Sequence, residues 1–221
     1  MQEVRLEQIV GLRIKEALPK RRKKHRYYSE NIKGGKKNAY WQTDLLAFTL
    51  ENVVKFSMLL SVDTHSRYIT CLKAFKNATV LEVIAALEKA FIKEGRPVAI
   101  VTDNGSQFCA RVDEQRHAFK EFLASKNICH LRIPPGKPQK TGIVERAVQN
   151  VKVEALRPFT STAITAVQKR LYRWRNWYNF HHRHMGIGNK CPAELFQPWH
   201  HRYGRSFLTD LLGKDFTVST M

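Results

Sequence analysis

The chain has 221 residues and 43% hydrophobic side chains, enough for one domain of ordinary size with appendages around a sizeable core. Its charge is abnormal: 38 Lys and Arg against 19 Asp and Glu give +19, which calls for a polyanion at the surface and points to nucleic acid. Neither a long uninterrupted apolar run nor a basic amphipathic helix of membrane type occurs, so no membrane partner is expected.

In chain order, residues 4–18 carry apolar positions at Leu6, Ile9, Val10 and Leu12 and suggest a short helix, ended by Pro19. A basic run follows, with Lys20, Arg21, Arg22, Lys23, Lys24 and Arg26, then Gly34-Gly35-Lys36-Lys37. This stretch reads as an arm that lies along DNA, as a nuclear address, or as a solvated tail; the basic remainder of the chain favours the DNA arm. Residues 41–48, 53–62 and 68–75 are strand-like runs joined by short connections, the pattern of an antiparallel meander. A helix with Val80, Ile84, Leu87 and Phe91 on one face comes next and stops near Gly95-Arg96-Pro97. Residues 98–101 are continuously apolar, as a strand buried on both faces would be. A second helix carries Phe119, Phe122 and Leu123, a short strand covers residues 130–133, and a third helix starts near Thr141 or Gly142. More helix is expected at 162–181. Three strands, helix, strand, helix, strand, helix is the order of an α/β layer fold with a mixed sheet.

Cys71, Cys109, Cys129 and Cys191 are widely separated and form no CxxC pair, so they read as thiols in a reducing compartment and not as a zinc site. The amino terminus shows no charged-then-apolar leader pattern. The expected location is therefore the cytoplasm, on the nucleoid if the host is bacterial.

Three carboxylates stand out. Asp44 interrupts an otherwise good strand, where a buried unpaired carboxylate is unfavourable. Asp103 follows the apolar strand at its carboxyl end, where open α/β sheets place their chemistry. Glu145 lies early in the third helix on the polar side, with Gln149 and Lys152, away from the stripe of Val144, Val148, Val151 and Ala155. Each has an ordinary reading too: a strand acid paired with an arginine, a turn aspartate beside Asn-Gly, a glutamate favouring the helix dipole. If the three meet, their mutual repulsion needs cations, and oxygen-only ligands suit two Mg²⁺ or Mn²⁺ ions able to drive in-line phosphoryl displacement.

Val101-Thr102-Asp103-Asn104-Gly105-Ser106-Gln107-Phe108, Pro134-Pro135-Gly136-Lys137-Pro138-Gln139 and Gly142-Ile143-Val144-Glu145-Arg146 occur in that order. Together they resemble the catalytic core of retroviral-type integrases and the related bacterial insertion-sequence transposases, the DDE superfamily. Residues 62–68 resemble the turn between that family's second and third strands, and Tyr178-Asn179-Phe180-His181 with Cys191-Pro192-Ala193-Glu194 resembles the segment after the core in bacterial members. The likeness spans residues 40–196. It implies a ribonuclease H-like fold: a mixed five-stranded sheet flanked by helices over residues 40–158, a basic arm at 1–39 and a helical extension at 159–221. It also implies Asp44, Asp103 and Glu145 as catalytic and metal-binding residues, DNA cleavage followed by strand transfer, and a homo-oligomer on DNA with no small-molecule substrate. A catalytically inactive or truncated DNA-binding remnant of a mobile element is the alternative, as is a nuclease that cuts without joining.

The chain departs from the family in three places. Asp103 and Glu145 are 42 residues apart, more than is usual, with the surplus placed near 111–116. Thr141 and Val148 stand where many relatives have Asn, and the 183–184 segment lacks a proline. Lys137, Lys140, Arg146 and Lys152 flank the acids in sequence and are candidates for phosphate contacts, with Arg21, Arg22, Lys23 and Lys24 of the arm. Leu171, Trp174 and Tyr178 lie at helical spacing and read as core or oligomer interface, among Lys169, Arg170, Arg173 and Arg175. His181, His182 and His184 lack a Cys or carboxylate to complete a zinc site.

Overall fold

Alternating apolar residues make the first half of the sheet. Strands β1 (Tyr40–Leu50), β2 (Val54–Asp63) and β3 (Ile69–Phe75) pair as an antiparallel meander, with Trp41 opposite Asp63 and Ser57 opposite Phe75. The computed structural model describes residues 35–50, 54–109, 117–133, 142–157 and 163–196. Two four-residue strands, β4 (Ala99–Thr102) and β5 (Cys129–Arg132), add in parallel on the far side of β1, giving the order β3-β2-β1-β4-β5. Every residue of β4 is buried, as expected of a parallel strand covered on both faces.

Because side chains alternate across a strand, Leu59 faces one layer of helices while Met58 and Leu60 face the other. On the first face, Trp41, Leu59 and Ile100 pack against helix α1 (Val80–Glu94) through Val83, Leu87 and Phe91, and against α2 (Ala118–Ser125) through Phe119 and Leu123. Thr79 and Glu82 form a reciprocal capping box at the start of α1. Gly95 ends that helix at φ 88°, where a Cβ would lie 2.7 Å from Asn38 Nδ2, so the position needs glycine. The buried face of α1 is rotated from the expected one: Val83, Ala90 and Glu94 are inside, while Val80 and Ile84 sit at the margin.

On the second face, Met58, Leu60 and Val62 meet α3 (Gly142–Asn150) and its π-helical continuation Val151–Leu156, then α4 (Ile164–Phe180). The expected stripe of Val144, Val148, Val151 and Ala155 is buried there, and so are Leu171, Trp174 and Tyr178. As at any helix end, the last carbonyls of the π segment look outside the helix for partners. Arg170 donates to two of them, Glu154 O at 3.3 Å and Ala155 O at 3.2 Å.

β3 is an edge strand, and α4 seals it. Asn179 Oδ1 accepts from Ile69 N–H at 2.8 Å while its Nδ2 donates to Ile69 O at 3.1 Å. Gln168 makes the equivalent pair with Ala74 N–H and Leu72 O. Side-chain amides thus stand in for a neighbouring strand and close the edge to further pairing. Arg175 donates to Ile69 O and to the buried Glu94, 2.6 Å away, joining α4 to α1. A short helix, α5 (Pro192–Phe196), stacks Phe196 on Tyr68 at 4.3 Å and buries Ala193, which fastens this segment to the β2–β3 turn. Among the described residues no helix is long and apolar enough to cross a membrane.

Candidate active site

The parallel pairing of β1 with β4 sets the geometry. Gln42 is level with Val101, and continuing that register brings Asp44 level with Asp103, just beyond the end of β4. Adjacent strands lie about 4.8 Å apart, so the two acids are neighbours across the sheet. Gln42, almost fully buried, fixes the third element: its Oε1 accepts from Val144 N–H at 3.2 Å and anchors the first turn of α3 over β1. Glu145 follows on the exposed side of that turn.

The electrostatics report the same proximity. Asp44 is half-buried, and its carboxyl is pushed up to about 6, first by burial and then by the charge of Asp103, with Glu145 adding to the rise. The Leu45 backbone amide and the Lys152 ammonium pull in the opposite direction. Two carboxylates and one ammonium therefore act on Asp44 from separate elements of the fold.

Asp103 is exposed, on a loop with several ties. Its Oδ1 accepts from Gly105 N–H at 2.9 Å, and its carbonyl accepts from the Thr102 hydroxyl at 2.8 Å. Asn104 Nδ2 donates to Ile133 O, joining this loop to the end of β5. A Cβ on Gly105 would stand 3.0 Å from Asp103 Oδ1, so glycine permits the close approach. Lys152 lies with its Nζ 5.4 Å from the centre of the Phe48 ring, which is itself stacked on the buried Phe56.

An oxygen-only donor set with mutual repulsion suits a hard divalent cation, so the chemistry of Asp44, Asp103 and Glu145 fits one. The coordination shell is not closed in this conformation: among the described residues no three His, Cys, Asp or Glu side chains are grouped tightly enough to hold an ion. A carboxylate offers about four lone-pair sites, so the Gly105 bond leaves Asp103 capacity for one.

Of the basic candidates, Arg146 is exposed beside Glu145, and Lys152 is at the acids. Lys137, Lys140, Arg21, Arg22, Lys23, Lys24 and the 111–116 surplus lie outside the described residues. Arg170 and Arg175, which the sequence shows as charge on this helix, are committed to backbone carbonyls and to Glu94. Asp63, buried in the β2–β3 turn, accepts from Asn38 N–H, Ser66 N–H and the Ser66 hydroxyl, which explains residues 62–68 as a turn lock. His182 stacks on Tyr178 and His184 meets it edge-on, and burial lowers both, His184 to about 4. Sequence reading missed Gln42; its one signal is a polar residue on the same strand face as Asp44, two positions earlier.

Two family models, both described as integrase core domain, match residues 35–138 and 126–192. An uncharacterized 39.2 kDa protein of insertion element IS476 from Xanthomonas euvesicatoria is 27% identical over 179 residues, 80% of this chain and 50% of the relative. The Gag-Pro-Pol polyprotein of mouse mammary tumor virus is 32% identical over 124 residues, 56% of this chain and 7% of the polyprotein. The chain thus spans about half the length of the insertion-element relative and a small part of the polyprotein. Among solved structures, the HTLV-2 integrase catalytic core domain in complex with magnesium superposes with a TM-score of 0.56 at 24% identity, over 74% of this chain and 99% of that one. A chain of the simian T-cell lymphotropic virus intasome in complex with PP2A regulatory subunit B56 gamma gives 0.62 at 24% identity, over 81% and 60%. The fold is the ribonuclease H-like mixed five-stranded sheet with flanking helices.

Proposed function

We propose that this chain, matched over residues 35–138 and 126–192 by two integrase core domain models, is a member of that family and the catalytic core of a DNA transposase or integrase, a divalent-metal-dependent polynucleotidyl transferase. The reaction would hydrolyse a phosphodiester to free a 3′ hydroxyl and then direct that hydroxyl at a phosphodiester of target DNA. The observation that carries this reading is the parallel register that sets Asp44 level with Asp103, where the Asp44 carboxyl is raised first by burial, then by Asp103 and less by Glu145.

Asp44, Asp103 and Glu145 would hold two Mg²⁺ or Mn²⁺ ions, which supply Lewis-acid polarisation at the phosphorus and charge for the attacking and leaving oxygens. The remaining roles fall to the chain's own groups. Gln42 keeps α3 over β1 so that Glu145 stays near Asp44. Lys152, held between the Asp44 field and the Phe48 ring, presents a cation for a phosphate or base edge. Arg146, with Lys137, Lys140 and the arm residues Arg21, Arg22, Lys23 and Lys24, would grip phosphates along the duplex and make binding salt-dependent. No protein nucleophile is needed, since water or a DNA end attacks. Handling two DNA ends together would require a homo-oligomer on DNA.

The alternative is a remnant that binds DNA without cutting it. One assay separates the readings: the purified chain, Mg²⁺ or Mn²⁺, and labelled duplexes carrying the element's ends. Joined products that vanish with Asp103→Asn support the transferase; cleavage without joining supports a nuclease; binding without either supports the remnant.

A further inference from the structure

The hydrogen-bond chain beneath the Asp103 loop has a direction that fixes a histidine tautomer. Thr102, fully buried, has one hydroxyl proton and donates it to the Asp103 carbonyl at 2.8 Å. The same hydroxyl oxygen lies 2.9 Å from His130 Nε2. With its proton already given to the carbonyl, the hydroxyl can only accept there, so His130 carries a proton on Nε2. The imidazole is braced in turn. It meets Phe119 edge-on at 5.3 Å, and Phe119, fully buried, meets Phe108 at 5.2 Å.

We infer that His130 and Thr102 are positioning residues for Asp103. They tie the peptide that follows its Cα to strand β5, while the Gly105 N–H holds its Oδ1. An exposed loop aspartate would otherwise sample many rotamers and pay ordering entropy on taking up a cation. The chain from His130 Nε2–H through Thr102 to the Asp103 carbonyl removes part of that freedom in advance. This rests on Asp103 as a metal ligand, the reading given above. Groups that orient a ligand from behind change metal affinity by about 10- to 100-fold when lost.

The test measures Mn²⁺ affinity by electron paramagnetic resonance on the full chain, beside melting in EDTA. Thr102→Val and His130→Leu remove the donors at similar size and are expected to weaken Mn²⁺ about tenfold or more. Thr102→Ser keeps the hydroxyl. His130→Gln places an amide N–H at the same bond distance as Nε2. Both are expected to hold affinity within about twofold of the native chain. In an Asp103→Asn background, Thr102→Val should weaken Mn²⁺ no further. ¹⁵N spectra of the histidine rings give a readout without metal: Nε2 of His130 should be protonated at neutral pH in the native chain. A His130 found as the Nδ1–H tautomer, or a Thr102→Val chain with native Mn²⁺ affinity, overturns the inference. A native chain with no Asp103-dependent Mn²⁺ binding overturns the underlying function as well, while the tautomer result still stands on its own.

Discussion

Asp44→Asn removes a carboxyl that the fold holds in an unfavourable place, and its effect on stability follows from the structure. The Asp44 carboxyl is raised from 3.8 to about 6 by burial first and the Asp103 charge second. Two units correspond to about 3 kcal/mol of preference for the neutral form in the folded chain. Between those two values the folded state keeps a proton that the unfolded state has released, so stability falls as pH rises through this window. The full penalty stands above about 6 and is absent below the unfolded value. Asparagine carries none of it, though its amide still needs partners. In EDTA, urea unfolding should therefore find Asp44→Asn more stable than the native chain by about 1–3 kcal/mol at pH 7.5 and nearly equal to it near pH 3.5. Added Mg²⁺ should stabilise the native chain and leave the variant almost unmoved. A variant no more stable at pH 7.5, or a difference that is the same at both pH values, would refute the reasoning.

Gly105→Ala places a Cβ 3.0 Å from Asp103 Oδ1 and must displace that carboxylate. It is expected to lower Mn²⁺ affinity by about tenfold, with a stability change of about 1 kcal/mol or less, read by titration and urea unfolding. Phe48→Leu removes the ring under Lys152, a contact worth about 0.5–1 kcal/mol. Strand transfer should fall about two- to fivefold, and should not fall further when Lys152→Ala is already present. Asn179→Ala strips the Ile69 N–H of its side-chain partner on the β3 edge and leaves the Ile69 carbonyl to Arg175. A loss of about 1–3 kcal/mol in urea unfolding is expected, with Mn²⁺ affinity unchanged.

The strands and helices were legible because their signals are local: two-residue alternation, short turns, glycine and proline stops. Residues 98–101 gave away a doubly covered strand by being apolar throughout, and the α3 stripe from Val144 to Ala155 was buried as its spacing required. The face of α1 was misjudged by a fraction of a turn. A hydropathy pattern puts Glu94 outside, but Glu94 turns inward to Arg175, 81 residues further along the chain. The partners of Arg170 and Arg175 are likewise set by the tertiary fold and leave no mark in the sequence pattern. Hydropathy carries no mark of the π-helical turn, whose last carbonyls are taken by Arg170. For the candidate site, the residue types were visible but their meeting was not. Asp44 and Asp103 come together through the parallel pairing of β1 and β4, and Glu145 through the Gln42 bond to Val144, both between segments remote in sequence.

The central claim is that three acids from separate elements share divalent cations. Crystals soaked in Mn²⁺ and measured at the manganese absorption edge test it directly. Anomalous density is expected to be enclosed by Asp44, Asp103 and Glu145 and to be lost in Asp103→Asn. Manganese bound elsewhere, or Glu145 directed away from a site made by the two aspartates, would contradict it.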